Sequence, residues 1–135
     1  MLFRSYLAAA PCACGRRTPR LSPILGRRAQ MLKIRGTTFY PATAFEVLND
    51  VPEIGEYYLQ VETTGGEDQA SVHLSLSPDR PETRRKIEDR LLARLRVRVQ
   101  LCVEPEDDVR RQVYVAHSRK PIRFIDRRGT TAAKA

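Results

Sequence analysis

The sequence predicts an α+β domain, in which a small antiparallel or mixed sheet carries two helices packed on one face and is preceded by an extended basic arm. Several short segments alternate apolar and polar residues, as half-buried strands do, and two others have apolar residues three and four apart, as amphipathic helices do. The first 30 residues show neither pattern. A length of 135 residues suits one domain with one modest core.

The arm, residues 1–30, has no sustained hydrophobic period and is broken repeatedly by proline and glycine, so we interpret it as an extended arm or connector. Residues 1–36 carry eight basic side chains and no acidic one, whereas the remaining 99 residues carry 16 of each and balance to zero. Such an arm can bind phosphate on nucleic acid, on a membrane surface or on a nucleotide. An acid-free, arginine-rich start is also compatible with an organelle transit peptide.

The first elements after the arm are a short strand and a helix. Alternation over Met31–Arg35 predicts the strand, and Gly36 allows a turn. Phe45 and Leu48 then share one side of a helical stretch over Thr43–Asn49.

A hairpin and a second helix follow. Tyr57–Thr63 and Ala70–Leu76 are predicted strands joined by a glycine-bearing loop. Residues 77–81 begin a helix that extends to about Arg96, with apolar residues four apart at positions 87, 91 and 95.

The last part contains two more strands. Val97–Val103 alternates again, an acidic loop follows over Glu104–Asp108, and Ile122–Ile125 forms a final short strand. We expect one compact domain over 31–128 and a disordered tail over 129–135. No run approaches the roughly 18 apolar residues that cross a bilayer, so we expect no membrane partner.

Three cysteines, Cys12, Cys14 and Cys102, do not form a secreted disulfide framework, which favours a cytoplasmic setting. Cys12 and Cys14 could be half of a four-ligand zinc site, but two thiolates alone do not complete one, and we predict no metal. His73 alternates onto the polar side of its strand, which predicts a surface residue.

Four collinear blocks carry a family resemblance. They are Pro11–Arg16, Ile24–Gly36, Phe39–Pro41 with Glu46–Leu48, and Ser118–Arg128. They resemble the C-terminal part of phenylacetate-coenzyme A ligases, within the superfamily of AMP-forming, adenylate-forming ligases. The second block is similar to the family hinge, Gly-Arg-x-Asp-Asp-Met-Leu-x-x-Arg-Gly, and is the most specific of the four.

The resemblance implies two half-reactions, in which a carboxylic acid and ATP give an acyl-adenylate and coenzyme A then displaces AMP. It also implies that the small C-terminal domain rotates between them. Lys120 aligns with the catalytic lysine, whose charge offsets negative charge in the adenylation transition state. Arg27 aligns with a hinge arginine near the ribose and phosphates, and Lys33 and Arg35 lie beside it as further cofactor-binding residues.

The chain also departs from the family pattern. The hinge is Arg28, Ala29 and Gln30, so the usual pair of aspartates is absent at the last two positions. Arg119 and Pro121 flank Lys120 where the family has small residues, which predicts a stiffer and more basic loop. The alternative interpretation of Lys120 is a solvated surface lysine.

The chain is therefore interpreted as a stand-alone or truncated lid of an aryl-acid ligase. Alone it is expected to bind no cofactor, and ATP with magnesium and coenzyme A are implied only with a separately encoded large domain. Whether the chain forms a homo-oligomer stays an open question. The alternative function is a non-catalytic regulatory module that contacts a protein, a nucleotide or nucleic acid through its basic arm. Phe3 and Tyr6 stand on either side of Arg4, but no aromatic residue is interleaved with the other basic residues of the arm, so nucleic acid is the less expected partner.

Overall fold

The structure is a computed structural model that describes residues 3–8, 10–24, 26–27 and 30–129. The chain divides into two compact units, residues 1–31 and residues 32–135. The predicted tail over 129–135 falls outside the described residues except for Gly129.

The first unit contains two short antiparallel ladders. Strands β1 (Phe3–Arg4) and β4 (Gly26–Arg27) form one, and β2 (Leu7–Ala8) and β3 (Arg20–Leu21) form the other. These short pairs of strands lie within the segment predicted to be an extended arm. Two-residue strands are too short to show an alternating pattern, so they could not be predicted from the sequence.

The described residues of the second unit, 32–129, form six strands and three helices. The strands are β5 (Leu32–Ile34), β6 (Thr37–Phe39), β7 (Ile54–Thr64), β8 (Glu67–Leu76), β9 (Gln100–Val103) and β10 (Phe124–Asp126). The helices are α1 (Pro41–Asn49), α2 (Pro81–Leu95) and α3 (Glu106–Val113). Both α1 and α2 begin with a proline after an extended residue, where its fixed φ suits a helix and its missing N–H costs nothing.

The main sheet has the strand order β10-β7-β8-β9. Strands β7 and β8 are antiparallel, whereas β9 is parallel to β8 and β10 is parallel to β7. A separate antiparallel hairpin joins β5 to β6. The sheet is therefore mixed, and the predicted α+β class is confirmed.

Helices α1 and α2 pack on one face of this sheet, as predicted. The core on that face includes Leu59 and Val61 of β7, Leu48 of α1 and Ile87 and Leu91 of α2, all of them almost completely buried. Side chains two apart on a strand point to the same face, so Leu59 and Val61 follow from the pleat of β7.

Helix α3 was not predicted, and it lies against the opposite face. The side chain of Tyr58 points to the face of β7 opposite to that of its two neighbours in the strand. It packs there with Val109 and Val113 of α3 and with Ile125. The sequence suggested an acidic loop because α3 has only two buried residues. Its acidic first turn, Glu106–Asp108, instead suits a helix N-terminus, where the helix dipole favours negative charge.

The third predicted strand also begins later than expected. Residues 97–99 lead from α2 to β9, and Val97 is buried without belonging to a strand. No helix in the described part of the chain is long and apolar enough to cross a membrane.

Candidate functional site

Lys120 lies in the segment that connects α3 to β10. The backbone N–H of Ile122 donates to the carbonyl of Val113, 2.8 Å away, and closes the base of a loop. Most of the residues between them are exposed, among them Arg119, Lys120 and Pro121. The structure thus presents Lys120 on the outside of the domain.

Ser118 organises the tip of this loop. Its hydroxyl donates to the carbonyl of Lys120 at 2.7 Å and accepts from the N–H of Lys120 at 3.3 Å. Its own N–H donates to the carbonyl of Val115 at 3.0 Å. Lys120 forms no ion pair with any carboxylate of the described residues, so its ammonium group is available to an anionic ligand.

A single carboxylate, that of Glu56 on β7, contacts residues on both sides of Lys120. It accepts from the hydroxyl of Tyr114 at 3.0 Å and from the guanidinium of Arg123 at 3.1 Å. Arg123 also lies over the ring of Tyr57, 4.4 Å from its centroid. Burial raises the pKa of Tyr57 although the charge of Arg123 acts in the opposite direction, so the phenol stays neutral beside this pair.

Lys33 and Arg35 belong to the β5–β6 hairpin, and both are exposed. The turn is formed by Arg35 and Gly36, both with positive φ, 49° and 79°. Two-residue hairpin turns with positive φ at both positions match the twist of the strands. Glycine adopts this conformation readily, but for Arg35 it is strained.

The hairpin borders two clefts at the β7–β8 turn. One, about 270 Å³, is lined by Arg35, Arg98 and residues of β8 and β9, and the other, about 330 Å³, is lined by Lys33, Arg35, Glu67 and Asp68. Carboxylates thus stand among the cations, which makes these clefts mixed in charge.

Arg128 joins two of the carboxylates near this turn. Its guanidinium forms ion pairs with the carboxylates of Asp126, at 2.6 Å, and Asp68, at 3.4 Å. Its hydrogen bonds lower the pKa of Asp126, so this carboxylate stays ionised at neutral pH.

Lys120 and the pair Lys33 and Arg35 lie at opposite ends of the sheet. The Lys120 loop is attached at Glu56, near the start of β7, and Arg35 borders Asp68, which pairs with Thr63 near its end. At about 3.3 Å per residue these points on β7 are roughly 20 Å apart. Within the 32–135 unit, the structure does not bring Lys120 together with Lys33 and Arg35.

The predicted hinge residues belong to the other unit. Arg28 and Ala29 lie outside the described residues, and Arg27 is described only as part of β4. Gln30 is half-buried and immediately precedes Met31 at the end of this unit. The roles assigned to Arg27 and to the hinge stay predictions.

The sulfur atoms of Cys12 and Cys14 lie 3.0 Å apart. A hydrogen bond from Cys12 lowers the pKa of the exposed Cys14 thiol because it stabilises the thiolate. Within the part of the chain that the structure describes, no group of three or more cysteine, histidine or acidic residues is arranged to hold a metal ion.

His73 is not the free surface residue that its alternation suggested. Its side chain is only 15% exposed, with Nδ1 2.6 Å from Glu104 and Nε2 3.0 Å from Ser71. Its ring stacks on Tyr58, with 4.6 Å between centroids. The alternation predicted the correct face of the strand for His73. Its partner Glu104 is 31 residues away along the chain, so the local pattern could not identify it.

The comparisons with known proteins identify a family and a shared fold. Residues 36–128 match the model of the family described as AMP-binding enzyme C-terminal domain. A phenylacetate-coenzyme A ligase of Thermus thermophilus is 38% identical over 74 residues, which is 54% of this chain and 17% of that protein. The chain therefore spans less than a fifth of the length of this relative.

Two solved structures share the fold. A domain of a phenylacetate-coenzyme A ligase from Bacteroides vulgatus has a TM-score of 0.56 at 22% identity, covering 74% of this chain and 94% of that one. A 2-hydroxyisobutyryl-CoA ligase in the postadenylation state has a TM-score of 0.64 at 23% identity, covering 90% of this chain and 27% of that one. Since the family match spans well over half of the chain, the chain belongs to the AMP-binding enzyme C-terminal domain family.

Proposed function

We propose that the chain is the lid of an AMP-forming aryl-acid ligase of the phenylacetate type and that it acts with a separately encoded large domain. The observation that supports this most directly is the separation of Lys120 from Lys33 and Arg35 along the sheet. In any one orientation, the domain can bring either Lys120 or the pair Lys33 and Arg35 to a bound nucleotide, but not both. A two-step reaction with a rotating lid uses both.

In the first step, a carboxylate oxygen of the acid attacks the α-phosphorus of ATP, and pyrophosphate leaves. Magnesium accompanies ATP as part of the substrate. Lys120 places a cation where negative charge develops on the carboxylate and the phosphate oxygens. Its exposure and its freedom from ion pairs with the described carboxylates suit this task.

In the second step, the sulfur of coenzyme A attacks the acyl carbonyl carbon, AMP leaves, and the thiol proton is released. For this step the domain presents its β5–β6 hairpin, with Lys33 and Arg35 as the cations nearest the nucleotide. The strained φ of Arg35 supports this role, since such strain persists where the local geometry serves a function.

The large domain supplies the remainder of the site. A triphosphate in the clefts beside Arg35 would meet the carboxylates of Glu67 and Asp68, which repel it. Adenylation also requires an enclosed site that holds acid and ATP together, and an exposed lysine on a loop does not provide one. A cytoplasmic setting, where ATP and coenzyme A occur, goes with this proposal.

One observation favours the alternative, a non-catalytic module that contacts a protein. Four large apolar side chains of the first unit are well exposed, namely Tyr6, Leu7, Leu21 and Ile24. Leu7 and Leu21 are direct cross-strand partners. An exposed patch of adjoining apolar side chains, as this pair forms, is typical of a protein-binding surface. The same patch would also serve to bind a large domain.

The test is reconstitution. The chain is mixed with the large domain of an aryl-acid ligase that lacks its own lid, and acid-dependent pyrophosphate release and acyl-CoA formation are measured. We expect both activities only in the mixture, with each component alone as the control. Binding to the large domain without turnover would favour the non-catalytic module. Binding to nucleic acid that weakens steeply with salt and disappears on deletion of residues 1–30 would instead favour the basic arm as the functional element.

A further inference from the structure

The Lys120 loop is anchored at both of its ends on one side chain. Tyr114 directly follows α3 and Arg123 directly precedes β10, and both donate to the carboxylate of Glu56, one to each oxygen. The Glu56 side chain is only 15% exposed. Hydrogen bonds to a charged group in such a position are stronger than neutral ones at the surface.

The Arg123 guanidinium is held by more than this bond. It lies over the ring of Tyr57, whose hydroxyl donates to Asn49 of α1 at 2.8 Å. The carbonyl of Arg123 accepts from the N–H of Leu59 at 2.8 Å, which ties its backbone to β7. The end of the loop is thus connected through Glu56 and Tyr57 to the body of the domain.

The tip of the loop has much weaker support. Ala116, His117, Arg119, Lys120 and Pro121 are exposed, and Ser118 bonds only to the loop itself. A segment without buried apolar contacts takes its position from its attachment points. The position of the Lys120 ammonium therefore depends on how firmly residues 114 and 123 are held.

We propose that Glu56 is a positioning residue for adenylation, because it fixes both ends of the Lys120 loop and so sets where the Lys120 ammonium meets the nucleotide. This inference rests on the proposed function of Lys120. Glu56 touches neither substrate nor Lys120, and it acts through Tyr114 and Arg123. Its effect is confined to the step that uses Lys120.

The variant that tests this is Glu56→Gln. The amide keeps the shape of the side chain and one acceptor oxygen, but it removes the charge that binds Arg123 and places an NH₂ group against one of the two donors. Glu46→Gln is the matched control, since Glu46 also accepts from an arginine, Arg94, at 3.0 Å, but on the exposed surface between α1 and α2. Arg123→Lys keeps the charge and loses the planar guanidinium, and it should give an intermediate effect.

The first measurement uses the full-length chain alone. Hydrogen exchange of the amides in residues 114–123 is followed by mass spectrometry, with residues 85–95 of α2, which packs on the opposite face of the sheet, as the internal reference. We expect roughly tenfold faster exchange of the loop in Glu56→Gln, with the reference segment unchanged, and no change in Glu46→Gln. Equal exchange in Glu56→Gln and the unmodified chain would overturn the anchoring itself, whether or not the chain has a ligase partner.

The second measurement uses the chain with the large domain. We expect Glu56→Gln to lower kcat of adenylation by roughly 10- to 100-fold with little change in KM, since small displacements of a catalytic group have effects of this size. Thioester formation from preformed acyl-adenylate should keep its rate. Equal loss in both steps would show a merely structural role, and unchanged adenylation despite a loosened loop would also overturn the proposal. If the unmodified chain shows no adenylation with the large domain, the proposed function fails, while the exchange experiment still decides the anchoring.

Discussion

The two ends of the sheet in the 32–135 unit hold their cations in different ways. At the Lys120 end, the carboxylate of Glu56 is 15% exposed and binds two residues that flank the loop. At the hairpin end, Asp68 and Asp126 are 32% and 36% exposed, and both contact Arg128 rather than Lys33 or Arg35. One end anchors its functional loop to the domain, and the other leaves its cations exposed beside a separate ion-pair cluster.

The difference follows from solvent exposure. Ion pairs at the surface contribute little, typically below about 1 kcal/mol, because water and salt screen them. A partly buried carboxylate with two donors restricts its neighbours more strongly. We infer that the Lys120 loop keeps a fixed geometry, as transition-state stabilisation requires, whereas Lys33 and Arg35 can adapt to a bound ligand.

The largest expected effect concerns Lys120. Lys120→Ala should slow acid-dependent pyrophosphate release by the reconstituted ligase by about 10²- to 10³-fold, the loss typical for one transition-state contact. Thioester formation from preformed acyl-adenylate should be unaffected, because that step uses the other end. Lys86→Ala, which removes an exposed lysine of α2, is the control. Full adenylation activity in Lys120→Ala would show that Lys120 is only a surface lysine.

An effect on stability should distinguish the two ends as well. A Cβ at Gly55 would lie 2.8 Å from the hydroxyl oxygen of Ser75, which is buried and accepts from the N–H of Glu56 at 3.0 Å. Gly55→Ala should therefore lower the free energy of unfolding by about 1–3 kcal/mol, as measured by urea denaturation.

The matched substitution at the hairpin end is Gly66→Ala. A Cβ there meets no atom within 4 Å, but φ is 84°, so we expect a loss of about 1 kcal/mol from backbone strain alone.

Combining Gly55→Ala with Ser75→Ala should destabilise the domain by less than the sum of the two single losses, because Ser75→Ala removes the hydroxyl that clashes with the new Cβ. Strictly additive losses would contradict the assigned contact.

The smallest expected effect concerns Arg35. Arg35→Asn should raise the free energy of unfolding by about 0.5–1 kcal/mol, since asparagine tolerates the left-handed region that costs other residues roughly 1–2 kcal/mol. The same change should slow the thioester step, because it removes the charge. Arg98→Asn, on the same cleft but without a positive φ, should not be stabilising. A drop in stability for Arg35→Asn would mean that contacts of Arg35 outweigh the strain.

Most of the fold could be predicted because its signals are local. The alternation of Ala70–Leu76 and the four-residue spacing of Ile87, Leu91 and Leu95 gave β8 and α2 nearly as observed. Helix α3 was missed because Val109 and Val113 give only one apolar interval. The paired strands of the first unit were too short to leave a pattern at all.

The candidate site could be predicted only in part. The resemblance located Lys120, Lys33 and Arg35 on the chain, but it gave no distances between them. Glu56 carried no signal, since its partners Tyr114 and Arg123 lie 58 and 67 residues away. His73 was similarly assigned to the correct face without its partner Glu104.

The sequence by itself thus determined the elements that depend on short-range periodicity, because each can be recognised within a segment of about ten residues. It also determined the α+β class and the family, because these follow from the order of such segments along the chain. Only the tertiary structure decided which residues meet. The register of β10 on β7 brings Arg123 to Glu56, the β7–β8 turn carries Asp68 to the hairpin, and the pleat of β7 places Tyr58 opposite Leu59. These pairings depend on strand order and direction, and periodicity within a segment carries no information about either.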